Sequence, residues 1–404
     1  MPSLPGAFLD LGLGRPAFLP GETPRVEGVG LLVKIVKDGF ADKGPEVTAS
    51  PDFEGRLAVW TPFRPGIAVS NRIEPAERAR LSAVLAKLVQ EGEGVVLRSH
   101  AAGADADEIT ADIDRLRRQH ASLLQAAAKS TAPGRLDSAE DALGRIAARI
   151  GEEIDRVLID DRAGFARLRG ALAVLDRLVL DLESGFAERH GLAEAFDQAL
   201  ASRLPLADGG EIVIEGTVAF TAIDINLSAA AGKRGRAATA ILAVNRAAAV
   251  EIARQLRLRN IGGAIVVDFI SMSLREHRRA VEAALAEAVR RDPMPVELHG
   301  WTRLGHLELT RKRGAASIPD RMLENGGARR AKTPRTVALE LLRALTAMAI
   351  RPGRVEIRVH PGIVAELQGE LAPTYEAALA RAGRPVVLAV EPGRDPETFD
   401  IAGT

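Results

Sequence analysis

The stretch TAIDIN at residues 221–226 alternates polar and apolar side chains in a way that is typical of a half-buried β-strand. Successive side chains of a strand point to opposite faces, so Asp224 and Asn226 lie on one face. Ile223 and Ile225 lie on the other face and point into the core. The stretch therefore predicts a strand that presents two polar groups side by side.

The residues around this strand predict an α/β unit. A strand precedes it at 211–214, and a helix predicted from about 245 to 259 ends at a pair of glycines, which is a common helix stop. The run AIVVD at 264–268 follows as a buried strand, and a long helix is predicted near 274–291. The succession of strand, helix, strand and helix indicates a βαβ unit with a right-handed crossover.

Three polar groups are expected to meet at the carboxyl ends of the two strands of this unit, where ligands of open α/β sheets gather. Two carboxylates about 4 Å apart repel by roughly 1–4 kcal/mol at effective dielectric constants of about 80 to 20. A hard divalent cation reverses this repulsion, and Mg²⁺ takes one or two carboxylates together with water and phosphate oxygens. Asp224, Asn226 and Asp268 thus predict metal-assisted phosphodiester hydrolysis. Alternatively, the acids merely cap turns or helices after their strands.

Composition excludes several other kinds of site. The 404-residue chain has no cysteine, which rules out disulfides, thiolate zinc sites, iron–sulfur clusters and cysteine nucleophiles and suits a reducing compartment such as the cytoplasm. No apolar run approaches the roughly 20 residues of a membrane span, and no signal peptide is expected. Because 54 basic residues balance 54 acidic ones, nucleic-acid binding would depend on a local patch.

The rest of the chain divides into three regions. Short strands separated by Gly, Asp and Pro predict a small N-terminal barrel, incomplete because the chain opens almost directly on a strand. A mostly helical region follows from Glu74 to about Ala199, with helix starts at Pro75, Asp112 and Asp137. The last domain is predicted as helix 337–350, strand 355–360, helix 364–381 with a break at Pro373, and strand 386–390.

Longer motifs resemble those of the bacterial ribonuclease E/G family. Those similar to its catalytic core are GGEIVI (209–214), TAIDIN (221–226), ARQLRLRN (253–260), VDFI (267–270) and ELTRKR (308–313). Those similar to its RNA-binding and 5′-sensing regions are AFLD (7–10), AFLP (17–20), DKG (42–44), SNRI (70–73) and LRS (97–99). RVHP at 358–361 is similar to its small oligomerisation domain.

This resemblance implies an α/β multidomain protein. The implied parts are an OB-fold β-barrel at 1–52 with strands continuing to about 65, a helical and mixed 5′-sensor-like region at 53–145, a remnant of a ribonuclease-H-like subdomain at 146–199, a deoxyribonuclease-I-like α/β catalytic core at 200–320, and a small α+β domain at 333–404. The implied activity is cleavage of single-stranded RNA to 5′-phosphate and 3′-hydroxyl ends, in RNA processing or decay.

The resemblance also assigns roles residue by residue. Asp224 and Asp268 match Mg²⁺-binding acids, and Asn226 matches the amide that positions the scissile phosphate. RNA-contacting positions on the barrel are matched by Phe8, Phe18 and Lys43. The pocket that senses a 5′-monophosphate is matched by Gly55, Val59, Arg98 and Ser99, with serine standing where threonine is usual.

The residue types fit these roles but leave alternatives open. Stacking on an aromatic ring contributes about 1–3 kcal/mol per base, so Phe8 and Phe18 would need additional phosphate contacts. Lys43 and the run Arg311-Lys312-Arg313 could supply them. Alternatively, the phenylalanines belong to the barrel core and the basic run is a solvated helix end or loop. Arg98 either binds phosphate through paired hydrogen bonds or neutralises an internal acid.

Departures from the family pattern define a second hypothesis. Residues 322–329 read MLENGGAR where relatives usually carry a zinc-linking cysteine pair, so no zinc is expected and a homodimer would rest on packing. A further acid common after Asp268 is here Ser271. Beside the endoribonuclease, a non-catalytic RNA-binding relative is therefore retained as the alternative, and a phosphoesterase for small nucleotides is a third hypothesis.

Overall fold

The chain forms two compact units, Met1–Leu182 and Glu183–Thr404. The computed structural model describes all residues except 1–4, 14, 22–25, 40–43, 137–153, 172–176, 184, 208, 218, 228–237, 291, 326–329, 349–352 and 404. Each unit combines several sheets with packed helices, so the mixed α/β multidomain class is confirmed. Within the described residues, no helix has both the length and the apolar character needed to cross a bilayer.

The first sheet is built from the N-terminal strands. These are β1 (Gly6–Leu9), β2 (Ala17–Pro20), β3 (Lys34–Lys37) and β4 (Glu46–Thr48), in the order β1-β2-β4-β3. In the described part of the chain, β1 and β3 are the two edges and do not pair, so the predicted barrel is not closed. The strands are three or four residues long and enclose a small core of Ala17, Leu19 and Val47.

The second sheet contains the strand at 58–61, which the sequence analysis assigned to the N-terminal barrel. Its members are β5 (Phe53–Glu54), β6 (Ala58–Thr61), β7 (Gly66–Val69) and β8 (Gly94–Leu97), in the order β5-β6-β8-β7. Helices α1 (Pro75–Leu88) and α2 (Ala106–Lys129) contribute buried leucines and isoleucines to its core at helical spacing. The strand at 58–61 is therefore part of the second sheet.

Helix α2 begins at Ala106 rather than near Asp112. Asp105 caps it, because its side chain accepts a hydrogen bond from Glu108 N at 2.8 Å while Glu108 Oε2 accepts one from Asp105 N at 3.2 Å. The predicted helix start at Asp137 lies outside the described residues. The unit ends with α3 (Arg162–Ala171) and a parallel pair of strands, β9 (Val157–Ile159) and β10 (Leu178–Leu180).

The second unit opens with two short helices and is centred on a six-stranded sheet. The helices are α4 (Phe186–Arg189) and α5 (Leu192–Leu200). The strands are β11 (Arg203–Pro205), β12 (Gly210–Gly216), β13 (Phe220–Leu227), β14 (Gly263–Asp268), β15 (Val296–Trp301) and β16 (Leu307–Arg311), in the order β11-β12-β13-β14-β16-β15. β13 and β14 run parallel, and the other neighbouring pairs of this sheet run antiparallel.

Two long helices follow the parallel strands and confirm the predicted βαβ unit. They are α6 (Ala238–Arg259), between β13 and β14, and α7 (Arg275–Val289), after β14. The core of the unit joins inward side chains of the strands, such as Ile223, Ile225 and Val267, to Ile252 of α6 and Leu285 of α7. All five are 3% exposed or less, and their alternation leaves the polar residues of β13 on the opposite face.

The C-terminal part follows the predicted order of elements. It contains α8 (Ile318–Met322), the hairpin β17 (Leu323–Asn325) and β18 (Arg330–Lys332), α9 (Pro334–Ala347), β19 (Val355–Val359), α10 (Pro361–Gln368), α11 (Ala372–Ala382), β20 (Val386–Val390) and β21 (Phe399–Gly403). The predicted helix 364–381 is broken as expected, because α10 ends before Pro373 and α11 carries that proline in its first turn. β21 was not predicted; it pairs with β19.

Candidate active site and RNA-contacting residues

Asp224 and Asp268 are direct neighbours across the parallel pair of strands. The register of β13 and β14 sets Asp224 opposite Asp268, and adjacent strands lie about 4.8 Å apart. Both carboxylates are on the exposed face of the sheet, and the side chain of Asp268 is 57% exposed. The two acids are therefore neighbours as predicted, but only Asp268 ends its strand, whereas Asp224 lies within β13, three residues before its end.

Asn226 joins this pair from the same strand. Its Nδ2 donates a hydrogen bond to Asp224 Oδ2 at 2.6 Å. An amide nitrogen carries two hydrogens, so one remains available to another acceptor. The three polar groups that the sequence singled out thus form one cluster, although the resemblance alone gave their individual roles.

The loop after Asp268 is fixed by a buried amide on α6. Asn245 is fully buried, donates from Nδ2 to Ile270 O at 2.8 Å and accepts from Ile270 N at 3.1 Å. The sequence placed Asn245 at the start of the helix, whereas it lies inside α6 and ties the helix to the loop. Both polar ends of a buried group are thereby satisfied, which holds the end of β14 in place.

His306 is a member of the cluster that the sequence did not predict. It immediately precedes β16, whose Leu307 is the register partner of Val267 in β14. The antiparallel pairing places His306 beside Asp268, and its Nδ1 lies 3.2 Å from Asp268 Oδ1. None of the motifs found in the sequence includes His306. The missing signal was the pairing of β16 with β14, because the strand next in sequence after β14 is β15.

Phe8 and Phe18 form a cross-strand aromatic pair on the first sheet. They are register partners in β1 and β2, and their ring centroids are 5.5 Å apart. Phe8 is 74% exposed and Phe18 is partly buried, so Phe8 does not belong to the core that the alternative interpretation proposed. Lys43, the third predicted contact on this sheet, lies outside the described residues.

The basic run at the end of β16 divides into one buried and two exposed side chains. Arg311 is 3% exposed and donates from Nε and Nη2 to the two carboxylate oxygens of Asp292, at 2.9 and 3.0 Å. Its Nη1 also donates to Ile261 O at 3.0 Å. The structure therefore contradicts an RNA contact by Arg311, because its guanidinium is enclosed in an internal ion pair. Lys312 and Arg313 are exposed.

The predicted sensor residues lie together at the β5–β6 turn and the end of β8. Gly55 is in the turn, and Val59 of β6 is the register partner of Val96 in β8, two residues before Arg98. Ser99 follows and starts a short 3-10 turn. Of the two interpretations of Arg98, the structure shows the pairing with an acid of the same chain. Arg98 Nη2 donates a hydrogen bond to Glu54 Oε2 at 2.6 Å.

The carboxylate of Asp112 accounts for the glycine in this turn. It accepts hydrogen bonds from Leu57 N at 2.9 Å and Ala58 N at 3.1 Å. A Cβ atom at Gly55 would lie within 3 Å of all three atoms of that carboxylate group. A side chain at position 55 would therefore displace Asp112 from the turn.

Comparison with known proteins identifies the family. The model of the Ribonuclease E/G family matches residues 52–314. The chain belongs to the ribonuclease E/G family.

Individual relatives extend this family match beyond those residues. Ribonuclease G of Escherichia coli is 30% identical over 439 residues, which cover 99% of this chain and 89% of that protein. Ribonuclease G of Haemophilus influenzae is 31% identical over 382 residues, which cover 85% of this chain and 77% of that protein. Ribonuclease E of Nostoc sp. is 35% identical over 302 residues, with 71% of this chain and 43% of that protein covered. The resemblance seen in the sequence is confirmed.

The donor atoms of the cluster in this ribonuclease E/G chain suit a hard cation such as Mg²⁺. Among the described residues, the second oxygen of each aspartate, Asp224 Oδ1 and Asp268 Oδ2, makes no hydrogen bond. No group of three or more His, Cys, Asp or Glu side chains that could hold a metal is present in the described residues. Two carboxylates without a third protein ligand fit Mg²⁺, which completes its shell with water and phosphate, but not a structural zinc ion.

Proposed function

We propose that this protein is a Mg²⁺-dependent endoribonuclease that cleaves single-stranded RNA and leaves 5′-phosphate and 3′-hydroxyl ends. The observation that carries the proposal is the register of Asp224 opposite Asp268, with Asn226 bonded to the first of them. Two adjacent exposed carboxylates repel each other and are of no use to a protein that only binds RNA, whose backbone is itself negative.

The proposed reaction is hydrolysis at phosphorus. A water oxygen forms a bond to the phosphorus atom, the bond from phosphorus to O3′ breaks, and a proton ends on O3′. Mg²⁺ bound by the aspartates would polarise the phosphate and activate the water. Asp224 and Asp268 would hold the cation, and the second amide hydrogen of Asn226 would orient the scissile phosphate. The 2′-hydroxyl takes no part, so no cyclic phosphate is formed.

Contacts outside the cluster would provide the affinity for RNA. Phe8 offers an exposed ring to a base, with Phe18 beside it, and each stacked base contributes about 1–3 kcal/mol. The exposed side chains of Lys312 and Arg313, together with Lys43, are proposed to contact phosphates. Arg98 and Ser99 are proposed to receive the 5′-phosphate, with Gly55 and Val59 shaping the pocket.

The proposed setting is RNA processing or decay in the cytoplasm. Three of the relatives carry the names ribonuclease G or ribonuclease E, which supports an endoribonuclease. The absence of cysteine from the sequence suits a reducing compartment. A homodimer, if it forms, would be held by packing, because the chain has no cysteine for a zinc link.

Cleavage of a 5′-monophosphorylated, AU-rich single-stranded RNA in Mg²⁺ tests the proposal. Wild type is expected to cut it, and Asp268→Asn is expected to bind the RNA but not cut it. Glu215→Gln is the matched control, because it makes the same carboxylate-to-amide change at an exposed position of β12. Analysis of the product ends should show 3′-hydroxyl groups only.

The outcomes separate the two hypotheses. If wild type and Asp268→Asn both bind the RNA and neither cuts it, the protein is a non-catalytic RNA-binding relative. If Asp268→Asn cuts as fast as wild type, the assignment of the site is wrong. Products that end in a 2′,3′-cyclic phosphate would contradict the proposed attack by water.

A further inference from the structure

Each aspartate of the cluster has one oxygen next to a nitrogen of a neighbouring side chain. Asn226 Nδ2 bonds to Asp224 Oδ2 at 2.6 Å, and His306 Nδ1 lies 3.2 Å from Asp268 Oδ1. In both cases the second carboxylate oxygen makes no hydrogen bond to the described residues. His306 therefore lies beside Asp268 as Asn226 lies beside Asp224, but only the asparagine makes an aligned hydrogen bond.

The turn that carries His306 is held by its own hydrogen bonds. Thr302 N donates to His306 O at 2.8 Å, His306 N donates to Thr302 Oγ1 at 3.2 Å, and Gly305 N donates to Thr302 O at 3.1 Å. Gly305 adopts a φ of 96°, which glycine tolerates better than any other residue. The imidazole is thus presented from a constrained hairpin between β15 and β16 rather than from a loose loop.

The ring nitrogen that faces Asp268 has no other partner. His306 Nδ1 is buried and makes no aligned hydrogen bond within the described residues, although the side chain as a whole is 33% exposed. A lone pair at Nδ1 would repel the carboxylate oxygen, so the hydrogen belongs on Nδ1. The two atoms are 3.2 Å apart, and a hydrogen bond between them requires the imidazole or the carboxylate to rotate into line.

We propose that His306 is a positioning residue that fixes the carboxylate of Asp268 for the cation. Its Nδ1–H binds Oδ1 of Asp268 and leaves Oδ2 free for the metal. In the same way, Asn226 binds Oδ2 of Asp224 and leaves Oδ1 free. This inference rests on the proposed Mg²⁺ site. Side chains that orient a ligating carboxylate typically change metal affinity 10- to 100-fold when they are replaced.

Binding of Mn²⁺ to the full chain without RNA tests the proposal, with free Mn²⁺ counted by electron paramagnetic resonance. His306→Leu is expected to weaken binding by about tenfold or more. His306→Asn should bind Mn²⁺ nearly as tightly as wild type, because its Nδ2 occupies the position of the imidazole Nδ1. His306→Gln should bind as weakly as His306→Leu, because its amide nitrogen lies one atom further from the backbone. His299→Leu, on the exposed face of the neighbouring strand β15, is the matched control and should bind as wild type does.

Asp268→Asn keeps this inference distinguishable from the proposed function. If Asp268→Asn binds Mn²⁺ as wild type does, the cation site itself is refuted. If Asp268→Asn binds weakly but His306→Leu binds normally, the positioning role alone is refuted. Equal affinities of the Asn and Gln variants would also refute it, and this comparison holds even if the leucine variant does not fold.

Discussion

Arg98 and Glu54 form an ion pair in which the guanidinium Nη2 donates to Oε2 at 2.6 Å. The arginine side chain is 25% exposed and the glutamate 45%, so both remain within reach of solvent. Arg98 is also the residue proposed to bind a 5′-phosphate. The carboxylate of Glu54 therefore competes with the phosphate for the same group.

Substitutions of this pair should change the preference for 5′-monophosphorylated RNA in opposite directions. Arg98→Ala should reduce the ratio of cleavage rates between 5′-monophosphate and 5′-hydroxyl substrates. Glu54→Gln should raise it by at most about fivefold, because exposed ion pairs contribute about 0.2–1 kcal/mol.

Rates on both substrates, measured with each variant, check this prediction. Arg56→Gln, which weakens the adjacent pair with Glu108, is the control and should leave the ratio unchanged. An equal loss on both substrates in Arg98→Ala would argue against a sensor.

Replacing Phe8 should weaken RNA binding without unfolding the protein. Its ring is 74% exposed, so Phe8→Ala removes little buried surface, while one lost stacking contact costs about 1–3 kcal/mol of binding free energy. Fluorescence anisotropy with a labelled single-stranded RNA measures the loss. Phe63→Ala, another exposed phenylalanine, is the control, and the idea fails if both variants lose affinity equally.

Arg311→Ala should destabilise the fold rather than affect RNA specifically. Removing one partner of a buried pair leaves Asp292 uncompensated, and such changes cost about 3–5 kcal/mol. The double variant Arg311→Met, Asp292→Leu should regain much of the loss, which thermal unfolding would show. An Arg311→Ala protein as stable as wild type would contradict the structural role.

Lys312→Ala provides the opposite case on the same strand end. Its side chain is exposed, so stability should change little. If Lys312 contacts a phosphate, the slope of log affinity against log salt concentration should fall by about 0.7, the value for one contact to a single strand. Equal slopes for wild type and Lys312→Ala would contradict a phosphate contact by Lys312.

Acid should weaken the first unit through Glu93. Burial of this carboxylate acts to raise its pKa, but hydrogen bonds from Arg117, Gln90 N and Trp60 Nε1 outweigh that effect and keep the pKa below its ordinary value. Because the pKa is lower in the folded state, the stabilisation is present above the unfolded value near pH 4.5 and is lost as the pH falls through the folded value.

Urea unfolding of wild type and Glu93→Gln across this range checks the prediction. The variant should be less stable at pH 7, and the difference between the two proteins should shrink below about pH 4. Glu91→Gln, an exposed neighbour, should behave as wild type does. A difference that is the same at pH 7 and pH 3 would exclude the carboxylate as its source.

Structural features that depend on residues close together in the sequence could be predicted from local sequence patterns. The alternation around Asp224 gave the strand and its polar face, and the glycines after Arg259 gave the helix end. The position of Asp268 followed from the βαβ unit, because a crossover helix brings the next strand alongside in a parallel direction. The helix break at Pro373 followed from the missing backbone donor of proline.

Features that depend on contacts between residues far apart in the sequence could not be predicted from local patterns. His306 meets Asp268 only because β16, and not β15, is the neighbour of β14. The enclosure of Arg311 depends on Asp292, which approaches from the segment before β15. Closure of the N-terminal barrel likewise requires edge strands to meet, and in the described residues they do not.

The crossover between β13 and β14 has a consequence for biosynthesis. A polypeptide that has left the ribosome only as far as α6 carries Asp224 without the carboxylate that faces it. The two acids become neighbours after β14 has docked beside β13, and His306 arrives later still. Under the proposed function, a nascent chain therefore cannot cut RNA before β14 has been made and has paired with β13.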